Sequence, residues 1–210
     1  MPYFIDYKYY EEGILTEKGC QPIVVMNWID APNLKDYISS NLYNSDSLLK
    51  LAFLFKKTVE ELHTLNISHG DLQPANILIK DNQIIFIDYD TMYVPCLQGE
   101  KDDIRGLPGF QHEARFSNKY LTPKADYFSE LIIYLSILAL SKYPQLWFEL
   151  NMEETKTLLF SPEDITSKGD SKIFYFLKQD SELIKLTERL ISFCNKSSLD
   201  ELCPLEEILC

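Results

Sequence analysis

The sequence predicts an α+β fold: a few strands gathered near the N-terminus, with a larger helical body behind them. Three observations carry that expectation. Residues 3–29 hold two runs rich in aromatic and β-branched residues, YFIDYKYY and PIVVMNWI, on either side of turn chemistry at Glu17-Lys18-Gly19. From residue 45 onward Leu48, Leu51, Phe55, Val59 and Leu62 recur at steps of three and four, which draws one apolar stripe along a helix. Finally, the run LIIYLSILAL at 131–140 is apolar on nearly every side, as a helix buried in the middle of a domain must be.

The remaining elements fall between these. Asp30-Ala31-Pro32-Asn33 breaks the second strand, and LKDYI starts a short helix. Asn44-Ser45-Asp46 offers an N-cap for the long helix, which runs to about Asn66. NILI and IIFI read as two short strands joined by the polar turn Lys80-Asp81-Asn82-Gln83. Residues 91–124 are punctuated by Pro95, Gly99, Gly106, Pro108, Gly109 and Pro123 and carry no period. A loop of that length inside a compact domain is usually functional. Helix is expected again over 126–141, and amphipathic helices around 145–159, 171–179 and 181–193. The Tyr- and Phe-rich stretches 3–10 and 173–176 are assigned to strand and core packing, and Glu153-Glu154 and Glu206-Glu207 to solvated faces. His63 and His112 are read as surface or loop residues.

Composition narrows the classes. Of 210 residues 46% are hydrophobic, with 13 Tyr and 12 Phe, enough to bury the core of one domain. The net charge of −12 disfavours nucleic acid and anionic lipid as partners, since the chain has no excess of cations to release counterions or to meet a headgroup. An anionic nucleotide would need metal ions beside it. The cysteines at 20, 96, 194, 203 and 210 form no C-x-x-C pair and suit reduced thiols in the cytoplasm. MPYFIDYKYYEEG shows no basic-then-apolar leader pattern, and the longest apolar run is half of a membrane span. A soluble, cytoplasmic protein is expected.

The chemistry concentrates in residues 67–90, ISHGDLQPANILIKDNQIIFIDYD. Asp71 is followed after five residues by Asn76, and a strand–turn–strand hairpin then returns the chain to Asp88. A carboxylate and an amide oxygen are hard ligands that suit magnesium, with nucleotide phosphates completing the shell. A further carboxylate nearby, free of the metal, can accept a proton from a hydroxyl nucleophile. Phosphoryl transfer needs that set and little else, because positioning and charge neutralisation dominate it.

These residues resemble a known family. HGDLQPANIL matches the protein-kinase catalytic loop H-R-D-x-x-x-x-N, and Asp88-Tyr89-Asp90 stands where kinases carry D-F-G. VVMNWIDAPNLKDYI resembles the last N-lobe strand, the hinge and the first C-lobe helix. ELHTLNISHGDL is similar to the helix that leads into the catalytic loop, GLPGFQHE to the end of the activation segment, and Asp126-Tyr127-Phe128-Ser129 to the start of the central buried helix. The match runs in order over residues 20–195. It implies a protein kinase-like fold of the bacterial serine/threonine type: remnant N-lobe strands and hinge over 1–30, and a C-lobe over 31–210, as one domain.

The resemblance also implies roles and cofactors, ATP and Mg2+. Asp71 would be the base, and Asn76 and Asp88 the metal ligands. Asn27 and Ile29, flanking Trp28, would offer hinge backbone groups to adenine behind Met26, with Leu78 beneath the ring. His69 and Tyr89 would belong to the apolar column under the metal site, and Asp126 would hold the catalytic-loop backbone. Glu113 would take the place of the final Glu of A-P-E, with Arg189 as its partner. The departures are equally specific. Residues 1–20 hold no G-x-G-x-x-G and no V-A-I-K lysine; Lys8 and Lys18 are present, but nothing assigns either to the phosphates. Gly70 replaces the Arg that reads an activation-loop phosphate, Gln73 replaces a Lys, and Asp90 replaces a Gly. Residues 92–113 contain no Ser or Thr, so activation-loop phosphorylation is not expected. The H-G-D form is shared with small-molecule phosphotransferases. The leading expectation is ATP- and magnesium-dependent phosphoryl transfer to a hydroxyl, a protein serine or threonine first. The alternatives are a partner-binding pseudokinase or half of a split kinase, and an aminoglycoside- or choline-type phosphotransferase.

Overall fold

A computed structural model describes residues 3–209. Met1, Pro2 and Cys210, which belong to the N-terminal stretch and the cysteine set considered above, lie outside it. Two strands, β1 (Tyr7–Thr16) and β2 (Gly19–Met26), form an antiparallel ribbon with Tyr7 opposite Met26 and a bulge between Tyr10 and Ile14. The ribbon begins later than expected, because residues 3–5 are captured by the body of the protein instead. The Tyr3 carbonyl accepts from Phe86 N–H at 2.8 Å, and Phe4 stacks on Phe86 and edge-on to Tyr89. Tyr7, Tyr9 and Tyr10 are exposed rather than packed, since the ribbon pairs only with itself among the described residues.

The helical body follows the expected order at first. Helix α1 (Leu34–Ser40) is capped by Asn33, and α2 (Ser45–Thr64) by Asn44, whose side chain accepts from Ser47 N–H. All five apolar stripe residues of α2 are buried. The helix stops where Asn66 turns left-handed at φ 56° and the Ile67 N–H returns to the Leu62 carbonyl. Strands β3 (Ile77–Lys80) and β4 (Gln83–Phe86) pair through Asp81 and Asn82, both at positive φ, the geometry of a type I′ hairpin turn. Helix α3 (Tyr127–Lys142) crosses the centre with eleven buried residues and packs against α2 and α7.

Between 145 and 161 the expectation fails. Helix α4 covers only Leu146–Glu149; Asn151 then takes a left-handed conformation (φ 49°), and no α-helix resumes before α5 (Pro162–Thr166). Leu158, Leu159 and Phe160 are consecutive and all buried, which one amphipathic helical face cannot achieve. Ser161 and Asp164 close a capping box at the start of α5. Helices α6 (Lys172–Leu177), α7 (Ile184–Cys194) and α8 (Leu205–Ile208) complete the body. Tyr175 and Phe176 face outward. Residues 91–124 are irregular apart from two 3-10 turns, Pro95–Leu97 and Glu113–Ser117. Among the described residues no helix is long and apolar enough to cross a membrane, and the four described cysteines are unpaired.

Candidate active site

The loop at residues 68–76 is held from below by α3. The Asp126 carboxylate accepts both the His69 and the Gly70 backbone N–H, the latter at 2.9 Å, and Asp126 itself is buried. Its side chain is thereby drawn away from capping α3. Gly70 sits at φ 82°, and a Cβ there would lie 2.1 Å from the Thr91 carbonyl oxygen, so the position accepts no larger side chain. His69 is fully buried against Phe86 and Tyr89, with Nε2 bonded to the Ile87 carbonyl at 2.9 Å. These contacts bury the ring and commit Nε2 to the backbone.

Asp71 leaves this anchored backbone with its carboxylate facing three donors. Oδ2 accepts from Gln73 Nε2 at 2.7 Å and Asn76 Nδ2 at 3.1 Å, and Oδ1 accepts from the Leu107 N–H at 3.0 Å. Asn76 is fixed by the 3-10 turn Pro74–Asn76, and its Nδ2 also donates to the Asp71 carbonyl at 2.9 Å. With the amide nitrogen committed, the Asn76 side-chain oxygen is left to accept or to ligate. The Asn76 carbonyl takes the Ile87 N–H at 3.1 Å, which ties the end of the β3–β4 hairpin to the loop. Asp88 follows at φ 65°, a left-handed conformation that Asp and Asn adopt more readily than other non-glycine residues. Its carboxylate is exposed, as is that of Asp90. Tyr89 packs inward, its hydroxyl accepting from Ile5 N–H at 2.9 Å, and burial raises the phenol above its ordinary pKa.

Between the β1–β2 ribbon, the 27–33 linker and the β3–β4 hairpin opens a crevice of about 980 Å³. Met26, Asn27, Trp28, Ile29, Leu78 and Asp88 all line it. Trp28 is 91% exposed, so its ring borders the crevice rather than filling it. Among the described residues the lining includes the carboxylates of Asp36, Asp88 and Asp90 and no Lys or Arg; Lys8 and Lys18 stay outside it. The oxygen donors of Asn76 and Asp88 fit a hard cation such as magnesium. No group of three or more His, Cys, Asp or Glu side chains among the described residues could hold a metal.

Three expectations are corrected around this site. Glu113 is exposed and has no ion pair with Arg189, itself exposed, among the described residues. The cation near it is Arg115, which turns inward to Asp102 at 3.1 Å. His112 is buried, bonding the Phe193 carbonyl at 2.9 Å and capping the Glu113–Ser117 turn. His63 lies between Glu130 (2.8 Å) and Glu206 (2.9 Å), so the Glu206 face is not purely solvated. Burial by itself would lower the pKa of His63, but hydrogen bonds and charge from the two glutamates outweigh it and push the pKa up to about 9. Arg115 and Asp102 escape sequence reasoning altogether: an Arg and an Asp thirteen residues apart in irregular chain leave no periodic signal.

No family model matches the chain. The chain aligns at 42% identity over 67 residues with a probable bifunctional tRNA threonylcarbamoyladenosine biosynthesis protein of Methanosphaera stadtmanae, covering 31% of this chain and 12% of that protein. It aligns at 32% identity over 74 residues with serine/threonine-protein kinase 16 of Rattus norvegicus, covering 35% and 24%. The matched part is thus less than a quarter of either relative. The kinase PK-1 of Cydia pomonella Granulovirus superposes on 100% of this chain and 76% of its own, at TM-score 0.57 and 18% identity.

Proposed function

We propose that this chain, which has the protein kinase-like fold, serves ATP- and magnesium-dependent phosphoryl transfer to a hydroxyl acceptor, with a protein serine or threonine as the preferred acceptor. One observation carries the reading. Asp71, Asn76 and the residue before Asp88 are joined by two hydrogen bonds of 3.1 Å, at the edge of a crevice of about 980 Å³. Asp71 is the base: its carboxylate, fixed by three donors, is poised to take the acceptor's hydroxyl proton. Asn76 and Asp88 would hold magnesium, which would neutralise charge on the nucleotide phosphates. Adenine would lie behind Met26, against the backbone of Asn27 and Ile29, with Trp28 at the rim and Leu78 beneath. His69, Tyr89 and Asp126 keep that arrangement rigid from below.

The crevice lining supplies no cation for the phosphates. The absence of such a preorganised charge costs about 3 kcal/mol or more, roughly two to three decades in rate. That same observation favours a second reading, a partner-binding module that retains the crevice without turnover. One experiment separates them: thermal stabilisation by ATP with and without Mg2+, paired with phosphate transfer to a generic protein acceptor, for the wild type and Asp71→Asn. The expected result is Mg-dependent stabilisation of both proteins, with transfer falling by about two to four decades in the variant. Stabilisation without transfer by the wild type selects the binding module, and no stabilisation of either protein sinks the nucleotide reading.

A further inference from the structure

We infer that Arg115 and Asp102 are positioning residues for Asp71: the buried Arg115, aimed by its pairing with Asp102, ties the 102–115 segment to the backbone of the loop that carries Asp71. The inference rests on the phosphotransfer reading and concerns how that site is held in working order. The Arg115 guanidinium, only 1% exposed, donates from Nε to Asp102 Oδ2 at 3.1 Å and from Nη2 to Oδ1 at 3.3 Å. This fork matches the planar geometry of a carboxylate. Its Nη1 donates to the Gly70 carbonyl and to Gln111 Oε1, the latter at 2.6 Å. One side chain thus fastens the beginning of the segment, its end and the residue immediately before Asp71.

The consequence reaches the carboxylate directly. At the middle of the segment the Leu107 N–H donates to Asp71 Oδ1 at 3.0 Å. The approach is close enough that a Cβ on Gly106 would lie 2.3 Å from that oxygen. If the segment swings away, the Leu107 bond to Asp71 and the Arg115 bond to Gly70 are lost together. Asp102, which also pairs with Arg105 at 3.1 Å, aims the Arg115 guanidinium at the loop; removing its charge leaves a buried cation without that carboxylate. Residues 92–113 contain no Ser or Thr, and the one hydroxyl among them, on Tyr93, belongs to a residue only 4% exposed. Gly70, which can bear no side chain, leaves its carbonyl open to Arg115 from the other side.

Hydrogen exchange measured on the full chain tests this without depending on activity. In Asp102→Asn, amides in 100–111 are expected to exchange about ten-fold faster, while those of α3 and α7 keep their wild-type rates. If Asp102→Asn does not fold, Arg115→Lys, which keeps the charge but loses the fork, is read in the same way. No acceleration in 100–111, or equal acceleration in α3 and α7, overturns the inference. Where the wild type transfers phosphate, the variant is expected to lose about ten-fold or more in kcat with the KM for ATP unchanged, and phosphatase treatment of the wild type to change nothing. A wild type without transfer activity counts against the proposed function, whereas the exchange result alone decides the lock.

Discussion

At the scale of single residues, the site is built from positions where side-chain freedom has been removed. Asp71 has three donors on its carboxylate, Asn76 has its amide nitrogen committed, and Asp88 is held at φ 65°. Two predictions belong here. Asp88→Ala is expected to abolish the Mg2+ dependence of ATP stabilisation, read as the difference in Tm with and without the metal, while leaving the fold intact because its side chain is exposed. Gly70→Ala forces a Cβ to 2.1 Å from a backbone oxygen at a positive φ, and neither atom belongs to a flexible side chain. It is expected to destabilise the protein by more than about 1 kcal/mol in urea unfolding. The residues proposed for the chemistry are legible in the sequence because such chemistry would demand particular side chains at short spacings along one loop. Arg115 and Asp102 are not legible, because any polar residue in an irregular segment looks solvated until its burial is known.

At the scale of elements, the clear successes are α2, α3 and the β3–β4 hairpin. In α2 and the hairpin, local chemistry and tertiary packing agree: an Asn cap ahead of an apolar stripe, and two polar turn residues that tolerate left-handed backbone. Replacing Asn44 by Ala leaves the Ser47 N–H without its acceptor. It is expected to lower stability by about 1 kcal/mol, measured as a shift in the urea midpoint at constant slope. The 145–161 region misled because its apolar residues also fit a helical period in places. A left-handed Asn151 and three consecutive buried side chains then redirect the chain toward the core. The first strand starts at Tyr7 instead of Tyr3 for a related reason. Phe4 gains more by packing against Phe86 and Tyr89 than by extending a two-stranded ribbon.

At the scale of the whole molecule, His63 joins α2 to both α3 and α8 by sitting between Glu130 and Glu206. Its pKa of about 9 in the folded protein lies above the ordinary 6.5, so the folded state binds this proton more tightly than the unfolded chain does. The stabilisation is fully present below about pH 6.5 and is lost as pH rises through about 9. Glu130 is buried and, through desolvation partly offset by His63, has its pKa raised as well; its titration therefore also favours folding at lower pH. Tm is expected to fall between pH 7 and pH 10, and His63→Gln to flatten that slope, which differential scanning calorimetry across the range would reveal. A wild-type Tm that rises over the same interval contradicts this arrangement.

The sequence by itself determined the order of the elements around the site, the loop that carries Asp71 and Asn76, and several of the residues that line the crevice. Each of these depends on local spacing, turn chemistry or an apolar period, all of which are written along the chain. Only the tertiary structure decided that His63 and His112 are interior, that Glu113 stands apart from Arg189, and that Arg115 reaches Gly70 in the loop at residues 68–76. Those facts depend on which distant segments are brought together. The energy of a buried charge is set by that meeting, not by its neighbours in sequence.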